Sequence, residues 1–202
     1  MLIYRKIKRI FDFFLSLIGI ILASPILLFG ALAIKLTSKG PVFYMGQRVG
    51  KNGILFKMYK FRTMVVNADK IGGPSTPIDD PRLLKIGKFF KKFQIDELPQ
   101  LINVLKGEMS FVGPRPEVPI YVNMMTEEER KTILSVRPGI TDFASLWNFH
   151  EGDILKGAED PEKEYMEKIR PEKLRLQKKY IREMSFWTDI KIIFKTVLKL
   201  FK

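Results

Sequence analysis

The chain has 202 residues, no cysteine and one histidine, His150, and its net charge is +13. These counts exclude disulfides and metal sites built on thiolates or several histidines, so a bound cation would need oxygen ligands, as Mg²⁺ does. The basic residues concentrate at the ends, four in residues 1–9 and eleven in residues 168–202, which favours an anionic phospholipid membrane as partner and gives no reason to expect a nucleic acid.

The N-terminal segment is uncharged for 22 residues, from Phe13 to Ile34, and as a straight helix would reach about 33 Å, enough to cross a bilayer. Two features argue against simple spanning. Ser24-Pro25 stands in the middle, where proline removes a backbone hydrogen bond, and both flanks are basic, which places both ends on one side. A helix that enters, bends at Ser24-Pro25 and leaves satisfies both, with the Ser24 hydroxyl bonding a freed carbonyl. A kinked spanning helix is an equal alternative on these grounds.

Residues 42–61 predict a β-hairpin, because two apolar runs flank Gly50-Lys51-Asn52-Gly53, a turn that tolerates positive φ. Lys60 and Arg62 alternate with aromatic residues and would leave one face of the second strand, which by residue type alone is a solvated face. The loop at 67–80 is rich in Gly, Pro, Ser and Asp, and it is either a mobile lid or a passive connector.

A short amphipathic helix is predicted after Arg82, with lysines such as Lys91 on its polar face. Asp96-Glu97 then precedes a second helical pattern that has Pro99 in its first turn and stops at Lys106-Gly107. The helix N-terminus favours anions, so we expect Asp96 to stay ionised at neutral pH. An alternative is that Asp96 only caps this helix.

Gly113-Pro114-Arg115-Pro116 is a loop that two prolines stiffen and that aims one guanidinium. A carboxylate, a site for a metal ion and a fixed arginine are the minimum needed to handle a phosphate diester. Further along, Thr126 and Glu129 predict a capping box, and residues 137–141 predict a turn.

The C-terminal third is predicted as helical. Residues 156–183 indicate a solvated helical pair broken at Pro171. From Phe186 to Phe201 apolar residues recur every three or four positions beside a row of lysines, which indicates either a helix lying in the membrane interface or one packed on the domain core.

Several of these motifs occur together in one family. DELPQLINVLKGEMSFVGPRPE, GPVFYMGQRVGKNGILFKMYKFRTM, DDPRLLKIGKFFKKFQIDELPQ and RPGIT resemble the bacterial sugar transferase family, the monotopic phosphoglycosyl transferases, over most of the chain. The resemblance implies a re-entrant membrane helix. It also implies transfer of a sugar 1-phosphate from a UDP-sugar to polyprenol (undecaprenyl) phosphate, with release of UMP.

The resemblance also implies roles for single residues. Asp96 would be the nucleophile that forms an aspartyl phosphosugar, and Glu97 a second catalytic residue. Mg²⁺ would bind through Asp96 or Glu97. The residues assigned to the substrate on these motifs are Arg115, Lys91, Lys60, Arg62, Arg82 and Arg137. The chain departs from the family in carrying Lys91 and Phe149 where members usually have arginine.

The sequence therefore predicts a mostly helical α+β fold with a β-hairpin and interfacial amphipathic helices around a small catalytic domain. The expected parts are a membrane hairpin at 1–39, the catalytic domain at 40–183 and an interface helix at 184–202. The expected location is the cytoplasmic face of the bacterial inner membrane. The rival hypothesis is a non-enzymatic adaptor protein at the membrane surface.

Overall fold

The computed structural model describes residues 2–200, and the predicted N- and C-terminal segments extend beyond that range by one and two residues. The fold is mostly helical, as predicted, and it has two small two-stranded sheets, of which only the hairpin was predicted. Its helices and strands are α1 (Leu2–Thr37), β1 (Phe43–Val49), β2 (Leu55–Phe61), α2 (Lys85–Lys92), α3 (Gln100–Lys106), β3 (Ser110–Val112), α4 (Pro119–Asn123), α5 (Glu127–Ile133), β4 (Gly139–Thr141), α6 (Phe143–Trp147), α7 (Glu151–Ile154), α8 (Pro161–Glu164), α9 (Arg170–Glu183) and α10 (Phe186–Leu200).

Helix α1 runs without interruption through Pro25, so no break between two helices is seen at Ser24-Pro25. The Ser24 hydroxyl donates to the Ile21 carbonyl at 2.7 Å. This is the carbonyl that the backbone nitrogen of Pro25 would bond if it carried a hydrogen. The predicted role of the Ser24 hydroxyl is therefore confirmed, and it compensates the one hydrogen bond that proline removes.

Both ends of α1 contact the same globular domain. Near the N-terminus, the Arg9 guanidinium donates to the carbonyls of Val104 and Leu105 at 2.7 and 2.9 Å. Near the C-terminus, Ile34 is fully buried in a cluster with two phenylalanines of β2 and α2. The helix therefore lies against the domain at both of its ends.

The opposite face of α1 is apolar and exposed. The most apolar window of 18 residues in this helix has a mean hydropathy of 2.6, and only 11% of that window is buried. Phe29 and Leu28 are 65% and 73% exposed. By length and composition α1 is able to cross or enter a membrane, and its outward face is the one that lipid would cover.

The predicted β-hairpin is confirmed. β1 and β2 pair antiparallel from Phe43 opposite Phe61 to Val49 opposite Leu55. The turn between them has positive φ angles at Asn52 (56°) and at the glycine that follows, as its composition predicts. Phe56, Met58 and Phe61 on β2 are buried, so one face of the hairpin packs on the core.

The segment 137–141 is not only a turn. β4 pairs in parallel with β3, with Ser110 opposite Gly139 and Val112 opposite Thr141. The two chains approach so closely that a Cβ atom on Gly139 would lie 2.1 Å from the nitrogen of Gly113. Glycine is required at this contact, and the pairing holds the Gly113–Pro116 loop beside the start of α6.

The prediction of a solvated helical pair at 156–183 is wrong. A π-helical turn, Tyr165–Ile169, joins α8 directly to α9, and Pro171 lies in the first turn of α9, where its missing N–H costs little. Tyr165, Ile169 and Tyr180 are each at most 2% exposed. This helix packs against α5 and α6 and forms part of the domain core.

Helix α10 packs on the domain along one face and is exposed along others, and its contact with a membrane stays a prediction. Asp189 and Ile192 are buried against the domain, whereas Trp187 and Phe194 on other faces are 77% and 62% exposed. Asp189 accepts hydrogen bonds from Tyr4 and Lys8 of α1 at 2.6 and 2.5 Å. The two terminal helices are therefore joined to each other, and both carry exposed apolar residues.

Candidate active site

The acidic pair lies in a 3₁₀ turn, Ile95–Glu97, just before α3. Gln94 precedes it with a positive φ of 55°, an uncommon conformation for a side chain of this size. Gly107, with φ 84°, ends α3 as predicted. The two backbone features fix a short rigid helix whose entry turn holds Asp96 and Glu97 side by side.

Asp96 is 4% exposed, and its Oδ1 atom has no hydrogen-bond partner among residues 2–200. An unpaired buried carboxylate oxygen is costly, and such atoms concentrate at functional sites. Asp96 is therefore not a helix cap. Pro99 stands at the N-cap position of α3, and no side chain caps this helix. The free oxygen is available to a ligand or a reacting atom.

Burial raises the pKa of Asp96 to about 6. The positive charge of Lys60 lowers it, the neighbouring negative charge of Glu97 raises it, and Lys91 and Arg115 lower it. A pKa of about 6 leaves the carboxylate mostly ionised at pH 7. The group is thus ionised as expected, but it is more basic than a surface aspartate and a better nucleophile.

Glu97 has both carboxylate oxygens engaged. Lys60 Nζ lies 2.7 Å from Oε1, and Arg115 donates to Oε1 and Oε2 through its two terminal nitrogens. Burial alone would raise the pKa of Glu97, but the charges and hydrogen bonds of Arg115 and Lys60 lower it well below its ordinary range. Glu97 is permanently ionised and holds two cations beside Asp96.

Arg115 is held by the loop that two prolines stiffen, both of which are buried. Its backbone carbonyl accepts from Gln177 Nε2 at 3.2 Å, and its Nη1 also lies 3.4 Å from the Ile140 carbonyl. Burial would lower the pKa of Arg115, but the charge of Glu97 raises it above its ordinary value. The guanidinium is therefore a fixed cation at the site, as predicted.

Lys91 comes from the last turn of α2. Burial lowers its pKa, and the negative charge of Asp96 is the largest effect that opposes this shift. The structure thus brings together Asp96, Glu97, Lys60, Lys91 and Arg115. Three cations lie beside two carboxylates, one of which has a free oxygen, and such cations suit a phosphate group.

Arg62 and Arg137 lie elsewhere. Arg62 is buried and donates to the carbonyls of Lys39 and Ser38 at 2.9 and 3.0 Å, in the two residues that directly follow α1. The strand ends at residue 61, so Arg62 does not continue the face of Lys60. Arg137 donates through Nε to the Gly107 carbonyl at 2.8 Å. Both side chains hold backbone segments together, and substrate contact by either stays a prediction.

Arg82 also serves the backbone. It pairs with Asp80 at 2.7 Å and donates to the carbonyls of Ala68 and Gly73 at 3.0 and 3.2 Å. Because these contacts tie both ends of the loop at 67–80 together, the loop is a bound connector in this structure. No contact joins Arg82 to the acidic pair in the described part of the chain.

Two further residues belong to the surroundings of the site, and neither was predicted from the sequence. Glu151, at the start of α7, raises the pKa of Arg115 and opposes the lowering at Lys91 through its charge. Gln100 is fully buried, and neither end of its amide has a partner within residues 2–200. Gln100 directly follows Pro99 inside the DELPQ motif, so the motif could have indicated it as a candidate site residue. Glu151 lies in a segment that departs from the family pattern, and no motif there indicated a role for this residue.

A metal ion would have few protein ligands here. Within residues 2–200 no group of three or more His, Asp or Glu side chains is close enough to enclose one, and Glu97 is occupied by its two cations. The free Oδ1 atom of Asp96 remains. Mg²⁺ binds proteins through one or two carboxylates and otherwise through water and substrate phosphates, so the residues fit the ion with Asp96 as its ligand.

Residues 3–202 match the profile of the family described as bacterial sugar transferase. The chain is 39% identical over 197 residues to a UDP-N-acetylgalactosamine-undecaprenyl-phosphate N-acetylgalactosaminephosphotransferase of Aeromonas hydrophila, covering 96% of this chain and 44% of that protein. It is 41% identical over 203 residues to a UDP-glucose:undecaprenyl-phosphate glucose-1-phosphate transferase of Escherichia coli K12. That match covers 96% of this chain and 40% of that protein.

The chain thus spans less than half the length of these two relatives. An exopolysaccharide production protein, PSS, of Rhizobium leguminosarum bv. phaseoli matches over nearly its whole length, with 36% identity over 204 residues that cover 95% of this chain and 94% of that protein. The profile match extends from α1 to the C-terminal end and includes every residue of the acidic site. The chain belongs to the bacterial sugar transferase family.

Proposed function

We propose that this chain transfers a sugar 1-phosphate from a UDP-sugar to polyprenol phosphate, such as undecaprenyl phosphate, and releases UMP. The observation that carries the proposal is the buried Asp96 carboxylate, which has one free oxygen and lies among Lys60, Lys91 and Arg115. Two relatives that share this family carry names of reactions of this kind. A carboxylate among cations is suited to attack a phosphorus atom.

In the first step, the free oxygen of Asp96 attacks the β-phosphorus of the UDP-sugar. A bond forms between that oxygen and phosphorus, the bond from the β-phosphorus to the bridging oxygen breaks, and UMP leaves with the electron pair. The enzyme then carries an aspartyl phosphosugar. The raised pKa of Asp96 makes the carboxylate more nucleophilic while it stays ionised at pH 7.

In the second step, a phosphate oxygen of the polyprenol phosphate attacks the same phosphorus. The bond to Asp96 breaks, the carboxylate is regenerated, and the product is a polyprenyl diphosphate-linked sugar. Arg115 and Lys60, held by Glu97, neutralise the oxygens of the phosphorus centre in both steps. Bound Mg²⁺ would supply charge neutralisation for the diphosphate, and Asp96 would hold it through the carboxylate oxygen that does not attack.

The acceptor is a lipid, so the site must lie at the membrane surface. We propose that α1 enters and leaves the bilayer on the cytoplasmic side of the plasma membrane, because both of its ends contact one domain and both flanks are basic. Exposed aromatic residues of α10, such as Trp187, would lie in the interface on the same side.

The test is release of UMP from a UDP-sugar by the purified full chain with Mg²⁺ and polyprenol phosphate. Asp96→Asn is expected to lower the rate by at least about 1,000-fold and to abolish labelling of the protein by a sugar-phosphate group. Asp69→Asn, at an exposed aspartate, is the matched control and should leave both unchanged. Appreciable turnover by Asp96→Asn would reject the nucleophile, and no UMP release by the unaltered chain would favour the adaptor hypothesis.

A further inference from the structure

The segment that joins α6 to α7 lies against the turn that carries the acidic pair. Gln94, in the residue before this turn, donates through Nε2 to the Phe149 carbonyl at 3.4 Å. Glu151 follows two residues later. Burial lowers the pKa of Arg115 and of Lys91, and the negative charge of Glu151 is among the effects that oppose this shift at both. A third carboxylate is therefore held beside the cations of the site.

Glu151 has no cation of its own in the described part of the chain. Arg115 pairs with Glu97. Lys173, another cation nearby, pairs with Glu117 at 2.6 Å. One oxygen of Glu151, Oε2, accepts a hydrogen bond from an asparagine, whereas Oε1 has no hydrogen-bond partner within residues 2–200. The side chain is partly exposed, so this oxygen is open to a ligand.

The asparagine that holds Glu151 is Asn148, at the end of α6. Its Nδ2 donates to Glu151 Oε2 at 2.9 Å. Because a carboxylate accepts only from the nitrogen end of the amide, this bond fixes which way the amide faces. The Oδ1 atom of Asn148 is then left buried without a partner among the described residues. Such an atom is costly and calls for a functional reason, and the reason here is a fixed orientation of Glu151.

The charge of Glu151 indicates which kind of group it binds. A phosphate is repelled by this carboxylate, whereas Lys60, Lys91 and Arg115 attract one. A hydroxyl group, in contrast, donates readily to a carboxylate oxygen, and hydrogen bonds to charged groups are among the stronger ones. A UDP-sugar whose diphosphate lies at those cations carries neutral hydroxyls on both sides of it, on the ribose and on the sugar.

We propose that Glu151 accepts a hydrogen bond from a hydroxyl group of the UDP-sugar, and that Asn148 positions it for this contact. The inference rests on the proposed function and deepens it, because it adds a residue that selects the donor. Glu151 distinguishes a diphosphate that carries ribose or sugar from one that carries neither. It takes no part in the transfer of the phosphosugar itself.

The test compares kcat and KM for UMP release by the full chain and by Glu151→Gln, with the UDP-sugar that the unaltered chain uses fastest. Asp153→Asn is the matched control, because it removes one exposed carboxylate from the same helix. Asn148→Ala is the second variant and keeps the Glu151 carboxylate. Pyrophosphate, which has no hydroxyl, and UDP, which has only those of the ribose, are tested as competitive inhibitors at constant free Mg²⁺. Circular dichroism checks that each variant is folded.

We expect Glu151→Gln to raise the KM for the UDP-sugar at least about tenfold and to change kcat less than about threefold, since a hydroxyl loses its charged acceptor. Inhibition by pyrophosphate should be unchanged or stronger, because a negative charge near the cations is gone. Asn148→Ala should raise the same KM about threefold, and the control should change neither constant. Weaker inhibition of Glu151→Gln by UDP would assign the hydroxyl to the ribose, and unchanged inhibition by UDP would assign it to the sugar.

A KM that stays the same or falls in Glu151→Gln would mean that Glu151 only moderates the charge of the cations, and the inference would be overturned. Equal weakening of pyrophosphate and the UDP-sugar would also overturn it, because the loss would then concern the phosphate site. If Glu151→Gln does not fold, an unchanged KM in Asn148→Ala overturns the inference in its place. Absence of UMP release by the unaltered chain would reject the proposed function itself, whereas the other outcomes reject the role of Glu151 alone.

Discussion

Arg115 donates to both carboxylate oxygens of Glu97, with Nη1 3.0 Å from Oε2. The other oxygen of Glu97, Oε1, accepts both from Arg115 and from Lys60 Nζ, which lies 2.7 Å away. Three hydrogen bonds occupy most of the lone pairs of this carboxylate, and the two positive charges that donate them oppose the approach of a metal ion. Glu97 therefore organises the positive charge of the site, and Asp96 alone keeps a free oxygen for chemistry.

The first prediction concerns Glu97→Gln. An amide cannot receive two parallel hydrogen bonds from a guanidinium, so Arg115 and Lys60 should lose their fixed positions and UMP release should fall about 100-fold. The apparent affinity for Mg²⁺, measured by titrating the rate with the ion, should change less than about threefold. A large weakening of Mg²⁺ dependence would instead make Glu97 a metal ligand, as the sequence also allowed.

The same variant has a pH signature. The negative charge of Glu97 raises the pKa of Asp96, so its removal should lower the pKa that limits the rate on the acidic side. The rate of Glu97→Gln, although lower, should therefore begin to fall at a more acidic pH than the rate of the unaltered chain does. A profile that keeps its midpoint would show that the two carboxylates do not interact.

The second prediction is the pH dependence of the unaltered chain. In the proposed mechanism the ionised form of Asp96 is the nucleophile, and burial raises its pKa to about 6. Single-turnover release of UMP should therefore be on a plateau above about pH 7 and should fall tenfold for each unit below about pH 5. A rate that stays constant down to pH 4.5 would mean that the attacking group has an ordinary carboxyl pKa.

The third prediction links this pKa to stability. A carboxyl group whose pKa is raised by folding binds more protons in the folded chain than in the unfolded chain between about pH 4 and 6, so its contribution to stability is lost as the pH rises through this window. Asp96→Asn removes the cost of the buried charge. At pH 7 the variant should melt a few °C higher, at about 1–2 kcal/mol of added stability, although it is inactive. The difference between the two melting temperatures should disappear below about pH 4, and scanning calorimetry at both pH values measures it.

The sequence predicted features that neighbouring residues specify, but it did not predict side-chain contacts between residues far apart in the chain. The hairpin turn and the stop at Gly107 are local, because glycine or asparagine at positive φ specifies them. Glu97 and Arg115 come together across 18 residues; the sequence assigned both to one site but did not predict a contact between them. Their hydrogen bonds, which exclude Glu97 from other roles, could not be predicted from either motif.

The prediction that Arg62 shares the face of Lys60 and the prediction for the segment after residue 156 were wrong because the residues they contact are distant in the sequence. Lys60 and Arg62 look equivalent in sequence, yet the strand ends between them and Arg62 meets carbonyls more than twenty residues away. The charged segment after residue 156 was predicted to be solvated because it is rich in charged residues. In the structure Lys173 is buried and pairs with Glu117 at 2.6 Å, and neither residue signals its partner. Burial of a charge by a distant counter-charge leaves no local pattern.

The fourth prediction compares Lys60 and Arg62. Lys60→Gln removes a cation from the site and should lower UMP release about 100-fold, with little change in melting temperature. Arg62→Gln removes two hydrogen bonds from a buried side chain to the end of α1 and should lower the melting temperature by several °C. Its kcat/KM at a temperature where it is folded should stay within about threefold. A specific increase in KM for the UDP-sugar in Arg62→Gln would instead restore Arg62 to the substrate site.

The last prediction tests how α1 meets the membrane. The chain has no cysteine, so Ile3→Cys and Lys39→Cys each introduce a single reactive thiol at an exposed position near one end of the helix. A helix whose two ends contact one cytoplasmic domain should leave both thiols unlabelled by an impermeant reagent added outside intact cells. Both should react after the cells are opened, which shows that the thiols are accessible.

Ser24→Ala adds a second arm to this experiment. It removes the hydroxyl that satisfies the Ile21 carbonyl beside Pro25, so an unpaired carbonyl would face lipid in the middle of α1, at a cost of several kcal/mol. We expect a lower yield of folded protein in the membrane fraction but the same labelling pattern, because the basic flanks still hold both ends inside. Labelling of one thiol in intact cells, with the other protected, would establish a spanning helix and would leave the contacts at one end of α1 unable to form.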